Sequence, residues 1–143
     1  KGELLWNYHK IDPFRSNPSE KNCGPNVTVV EGFKAAMWVW QHGFQNVVAI
    51  LGKHMTRAQR WYLEHLGLPI VLMVDNDLNG QGVKVASSMG RWLSTSGEVR
   101  IAHYPLKYRQ PTDMPSDALL AALDNPPHWA SWYAQLAISK QKV

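Results

Sequence analysis

The sequence holds a single cysteine, Cys23, in 143 residues. A disulfide within the chain is therefore excluded, and so is any zinc site that needs several thiolates. A reducing, intracellular setting is the expectation that follows. No apolar run approaches the roughly 20 residues needed to span a bilayer, and no signal peptide precedes the fold, so no membrane partner is expected. The chain begins with Lys1 and not Met, and it reads as a piece of something longer. Internal repeats and low-complexity segments are also lacking. Charged residues make up only 18% and hydrophobic residues 45%, which is the composition of a globular domain and excludes a disordered segment. The length suits one domain with a real core. Acidic residues number 11 against 15 basic ones, a net charge of +4. That balance is compatible with a polyanionic partner and equally with an ordinary solvated surface. Seven tryptophans point to core or helix packing.

Residues 1–26 read as a lead, "GELLWNYHKI", short helical or extended, and a loop rich in Pro, Asn and Ser. From Val27 onward strands and helices alternate. "VTVVE" is a β-branched run suited to a strand buried on both faces, and "FKAAMWVWQHG" is a helix stopped by Gly43. "NVVAIL" is a second strand. "MTRAQRWYLEHLG" is a helix in which Thr56 and Gln59 have capping-box spacing and Gly67 closes the end. "PIVLMVD", "GQGVKVASSMGRWLSTSG" and "EVRIAHY" continue as strand, helix and strand. "SDALLAAL" and "PPHWASWYAQLAIS" close the chain as helices, the last one opening on its prolines. Continuous apolar strands joined by helical crossovers predict an α/β fold, a mainly parallel sheet of about four strands with helices on both faces. The expected divisions are a lead over 1–26, a domain over 27–124 and a C-terminal helix over 125–143 that packs on the domain or leads out of it.

Three carboxylates sit where such a sheet does chemistry. Glu31 ends the first strand, and Asp75 and Asp77 end the third, all at the carboxyl edge where ligands bind in open parallel sheets. Asp75 and Asp77 are one residue apart and point the same way in extended backbone. If the first and third strands are neighbours, Glu31 faces them. Such a cluster costs energy unless a cation neutralises it, and Mg²⁺ suits oxygen ligands of this kind. The chemistry that uses such a cluster is phosphoryl transfer. Gly32 lets backbone approach the site, and Gly80 and Gly82 permit a tight turn into the next helix. The alternative for each element alone is a turn or a helix cap, for which Asp and Asn are favoured.

The stretch from "VTVVEG" to "VDNDLNGQ" resembles a Toprim domain, the fold shared by bacterial-type primases, type IA and II topoisomerases and certain nucleases. Its signatures are a Glu-Gly after the first strand and an Asp-x-Asp after the third, filled here by Glu31-Gly32 and Asp75-Asn76-Asp77. Gly43-Phe44, Leu51-Gly52, Thr56 to Gln59 and Gly80 are similar to the pattern in DnaG-like DNA primases of bacteria and phages, over roughly residues 2–121. The resemblance implies that Asp75 and Asp77 hold Mg²⁺ or Mn²⁺, one ion or two, and that Glu31 completes the metal site or acts as general acid/base. It also implies a further acidic stretch after the fourth strand, which "PTDMPSD" supplies as Asp113 and, less closely, Asp117. Ala35 and Asn79 depart from the primase pattern. The implied activity is DNA-directed synthesis of RNA primers by nucleotidyl transfer. The implied partners are single-stranded DNA template, RNA primer and ribonucleoside triphosphates, in the cytoplasm or nucleoid. A replicative helicase would be met through parts outside this chain.

Basic residues flank the same edge. Lys34, Lys53 and Lys84, with Gly32 and Gly80, are the candidates for nucleotide or phosphate binding; His54 after the second strand and Lys107 and Arg109 after the fourth are further basic residues that could contact phosphate. The zinc module and basic subdomain that precede this fold in bacterial-type primases are absent, so the piece is expected to bind metal and nucleotide but to prime poorly alone. A Toprim nuclease would use the same carboxylates to direct water at phosphorus. A receiver-like module lacks a reason for Asp-x-Asp, and a purely DNA-binding role lacks one for all three acids.

Overall fold

A computed structural model describes residues 4–19, 21, 24–77 and 79–141. Cys23 and the first three residues of the lead lie outside the described residues. Four short strands form the sheet: β1 (Val27–Val30), β2 (Val47–Ala49), β3 (Ile70–Leu72) and β4 (Val99–Ile101). Their order is β2-β1-β3-β4 and every pairing is parallel. Parallel pairing requires a crossover between strands. Helices α1 (Phe33–Gln41), α2 (Arg57–Leu66) and α3 (Gln81–Leu93) supply it, and α4 (Ser116–Leu123) and α5 (Trp129–Gln141) follow β4.

Side-chain alternation divides the core into two layers. Val27, Val29, Ile70, Leu72, Val99 and Ile101 face one way and pack with Leu63 of α2 and Ala86, Met89 and Leu93 of α3. Val30, Val47, Ala49, Val71 and Met73 face the other way, against Ala36 and Val39 of α1 and Leu119 and Leu123 of α4. Helices therefore cover both faces. At about 25 cal/mol per Å² of apolar surface, burial of these two layers is the main stabilising contribution.

The capping box of α2 is present. Thr56 Oγ1 accepts from the backbone N–H of Gln59, and Gln59 Oε1 accepts from that of Thr56 at 3.0 Å. Gly67 ends the helix in the left-handed conformation, φ 65°. The last helix departs from the sequence expectation. It starts at Trp129, so Pro126 and Pro127 lie before it and not in its first turn. The reason is a competing use of that backbone: the carbonyl of Pro127 accepts from the N–H of Ile101 at 2.9 Å, and His128 bridges Arg100 antiparallel. The lead does the same at the opposite edge, where Trp6 and Ala49 exchange hydrogen bonds at 3.0 and 3.3 Å. Among the described residues no helix is long and apolar enough to cross a membrane.

Candidate functional site

The adjacency of β1 and β3 brings Glu31 and Asp75 together. Val29 is in register with Leu72, and the N–H of Met73 still bonds the carbonyl of Val29 at 2.9 Å. Two residues past Val29 is Glu31, and its Oε1 accepts the backbone N–H of Asp75 at 3.0 Å. Glu31 is only 8% exposed. Burial raises its pKa above the ordinary carboxylate range. The Asp75 N–H opposes that shift, the negative charges of Asp75 and Asp77 add to it, and Lys53 opposes it. Asp75 is also raised, chiefly by burial, with Lys53 lowering it and Asp113 raising it. Its Oδ1 is buried and has no hydrogen-bond partner among the described residues.

Asp77 has a second occupation. Its Oδ1 accepts from the N–H of Gln81 at 2.7 Å and of Asn79 at 3.2 Å, which caps the start of α3. Gly80 is the residue before the helix, in the left-handed conformation at φ 70°, and offers no side-chain cap itself. The capping alternative therefore holds for one oxygen of Asp77, while the side chain also lines a cavity with Glu31 and Asp75. That cavity has a volume of about 300 Å³, and Lys53, Gln81 and Arg109 stand on its wall.

The sequence pattern passed over Asn76. Its Nδ2 reaches the carbonyls of Tyr104 at 3.1 Å, Pro105 at 3.3 Å and Tyr108 at 3.0 Å, and its N–H bonds the carbonyl of Arg109 at 2.7 Å. Asn76 thus ties the segment between the two aspartates to the loop after β4. Tyr104 adds a bond from its hydroxyl to the Val74 carbonyl at 2.9 Å, and burial keeps that phenol protonated well above its ordinary pKa. Gly82 has a stricter reason than a tight turn. A Cβ there would stand 2.1 Å from the carbonyl oxygen of Asp75, so only glycine lets α3 press against the loop. At Gly32, by contrast, a Cβ would meet nothing within 4 Å.

The remaining candidates divide. Lys53 reaches Gln81 Oε1 at 3.5 Å beside the carboxylates. Asp113 is outside the cavity wall; its Oδ2 accepts from the N–H groups of Arg109 and Gln110 at 3.0 and 3.2 Å, which shapes the loop that puts both of those residues on the wall. Asp117 accepts from the N–H of Ala118 at 2.9 Å, at the start of α4. Lys34 is exposed on α1 outside the cavity wall, and Lys84 lines a different cleft. Lys107 lies over the ring of Tyr108, 5.0 Å from its centroid. Arg109, one of the basic residues expected around this edge, is on the cavity wall, whereas Gln110 and Gln81 carried no positional signal for it, because a loop fold and one helical turn place them there.

Do these donors suit a cation? Among the described residues no group of three or more His, Cys, Asp or Glu side chains is placed to hold a metal ion. Mg²⁺ does not ask for one, since it keeps several waters and takes one or two carboxylates. A buried carboxylate oxygen without a hydrogen donor is costly, and a cation, like a proton or a water, relieves that cost. Hard oxygens at Asp75 and one neighbouring carboxylate are the donor chemistry such an ion takes.

Residues 28–114 match the Toprim-like family. This chain belongs to that family. A DNA primase of Deinococcus radiodurans is 36% identical over 126 residues, covering 87% of this chain and 20% of the primase. The Toprim-like chain thus spans about a fifth of that relative's length. Two solved structures share its fold. A DNA primase domain from Pseudomonas aeruginosa has a TM-score of 0.71 at 21% identity, over 97% of this chain and 43% of that one. A DnaG primase catalytic domain bound to single-stranded DNA has a TM-score of 0.68 at 16% identity, over 97% and 44%. The parallel sheet with its two covered faces is therefore the Toprim fold of the primase catalytic core.

Proposed function

We propose that this chain is the catalytic Toprim part of a DNA primase, joining ribonucleotides on a single-stranded DNA template with the help of Mg²⁺ or Mn²⁺. The observation that carries the reading is the buried Oδ1 of Asp75, without a donor, in a cavity that also holds Glu31 and Asp77. The primase relative and the neighbour bound to single-stranded DNA support the choice of primase over nuclease. Asp75 and Asp77 would hold the cation, with Glu31 completing the site or moving a proton. A cation bound here supplies charge neutralisation for the transferring phosphoryl group and lowers the pKa of an attacking hydroxyl.

The chain's own residues do the rest. The Asp75 N–H holds the Glu31 carboxylate at a fixed angle to the cavity. Raised by burial, Glu31 is placed to take and return a proton nearer neutrality than an exposed carboxylate. Lys53 and Arg109 on the cavity wall attract triphosphate oxygens. Template selection and helicase contact belong to parts of the protein outside this chain, so the isolated piece binds metal and nucleotide but primes weakly. It works in the cytoplasm or nucleoid.

Calorimetric titration of Mn²⁺, then of ribonucleoside triphosphate in its presence, tests the reading against Asp75→Asn and Glu31→Gln. The expected outcome is metal binding by the wild type, nucleotide binding that depends on it, and loss of both in Asp75→Asn. A wild type that takes no metal at millimolar concentration overturns the site.

A further inference from the structure

A second cleft opens on the outer side of α3, between it, α2 and α5, with a volume of about 640 Å³. Four cations line it: Arg60, Lys84, Arg91 and Lys140. Two aromatic rings, Trp92 and Tyr133, stand among them, with Ser87, Ser88 and Thr95 supplying hydroxyls. Among the described residues no carboxylate is on its wall. Arg60 pairs with Glu64 behind it, whereas Lys84, Arg91 and Lys140 have no carboxylate within ion-pair distance among the described residues. Like charges gathered this way repel one another, and an unpaired cluster is retained where a polyanion relieves it.

The geometry points to a track for one strand of nucleic acid, held by its phosphates, running from the catalytic cavity along α3. This deepens the primase reading and rests on it. Three features select this occupant. First, the cleft and the cavity are served by the same helix: Gln81, Gly82 and Val85 of α3 line the cavity, and Val83 and Lys84, between them in sequence, turn to the cleft. Second, Lys84, Ser88 and Arg91 recur at intervals of four and three residues on one exposed face, spanning about 10 Å along the helix. Such spacing suits successive phosphates and does not require base readout. Third, two guanidinium groups lie over rings, Arg60 4.7 Å from the Trp92 centroid and Arg91 5.5 Å from that of Tyr133. Arg91 also donates to the Tyr133 hydroxyl at 2.8 Å. Both rings are partly exposed, and cations set among aromatic rings are the combination that grips single strands without regard to sequence. An acidic protein segment would use the charges but has no use for a file of hydroxyls and rings leading out of a phosphate-handling cavity. Tyr133 and Lys140 belong to α5, beyond the stretch 28–114 that matches the family.

The test is fluorescence anisotropy of a labelled oligothymidylate of about 12 nucleotides, a length within the range of single-strand sites. Wild type, Lys84→Gln/Arg91→Gln and Arg91→Lys are titrated over a range of salt, each with a parallel Mn²⁺ titration. The double variant is expected to bind several-fold more weakly, with the slope of log K against log salt reduced by about 0.7 for each lost phosphate contact. Arg91→Lys keeps the charge while losing the Tyr133 bond, and is expected to bind close to wild type, which separates charge from a structural role. Mn²⁺ binding is expected to be unchanged in all three. An unchanged slope and affinity in the double variant, or no binding by the wild type at low salt, overturns the track while leaving the metal reading to its own titration. Poly-glutamate binding as tightly as the oligonucleotide overturns it in favour of an acidic protein partner.

Discussion

The backbone N–H of Asp75 and Oε1 of Glu31 are 3.0 Å apart, so the main chain of one acid fixes the side chain of the other. Both carboxyls have raised pKa values, from burial first. Each binds its proton more tightly in the folded than in the unfolded chain. Without divalent cation, folding stability is therefore highest where both are protonated. It falls as pH climbs from the ordinary carboxylate range, about 4, through the raised folded values. Asp75→Asn is expected to flatten that fall and to raise Tm at pH 7, by about 2–4 °C for each kcal/mol relieved in a chain of this size. Thermal melts from pH 4 to 8 check it, and Mn²⁺ at about 100 times its Kd should restore about 2.7 kcal/mol to the wild type alone. A neutral variant no more stable than wild type at pH 7 would contradict it.

Asn76 binds the loop after β4 with three side-chain contacts. Asn76→Ala leaves those carbonyls without their donor, at a cost of about 1–3 kcal/mol in urea denaturation. Asn76→Asp is expected to be worse, because it points an acceptor and a charge at three carbonyls. Metal affinity should fall in both variants, since the segment carrying Asp75 and Asp77 loses its anchor.

Gly82→Ala drives a methyl group into the Asp75 carbonyl, and backbone cannot swing aside as a side chain can. Overpacking of this kind costs about 1–3 kcal/mol. The expected signature is a joint loss of stability and Mn²⁺ affinity, whereas Gly32→Ala, which meets nothing, should leave stability near wild type.

Gln59 holds three places at once. Its Oε1 caps α2, and its Nε2 donates to the carbonyls of Leu4 and Ile50, both at 2.8 Å. Gln59→Leu keeps the volume and loses every bond. The cap is worth about 1 kcal/mol and the buried Ile50 carbonyl left alone about 1–3, with less from the half-buried bond to Leu4. A measured loss below about 1 kcal/mol would mean that the buried amide contributes little.

Much of this was legible in the sequence for identifiable reasons. The alternation of β-branched runs with 3.6-period segments gave the layers, and period-two geometry put Val27, Val29, Ile70 and Leu72 on one face. The box at Thr56 and Gln59 was readable because it is local. Asn76 was missed because a residue between two aspartates carries no pattern of its own; the same period-two rule sends its side chain away from theirs, toward the neighbouring loop. Lys84 was grouped with the carboxylates by its distance along the chain. On a helix each residue turns by about 100°, so three positions past Gln81 is a different surface. The prolines before Trp129 looked like a helix start because their use as a partner for β4 is non-local.

Both borders of the sheet are occupied, one by Trp6 and the other by the Pro127–His128 stretch. Neither guard lies inside residues 28–114, the part that defines the family. A piece trimmed to those bounds would present two rows of unsatisfied main-chain groups, and Gln59 would face an empty place where Leu4 stood. Exposed borders of this kind invite strands from other molecules. The smallest portable unit is thus set by hydrogen-bond closure and not by the family motif, and anyone grafting or minimising this domain should carry the lead and the stretch through His128 with it.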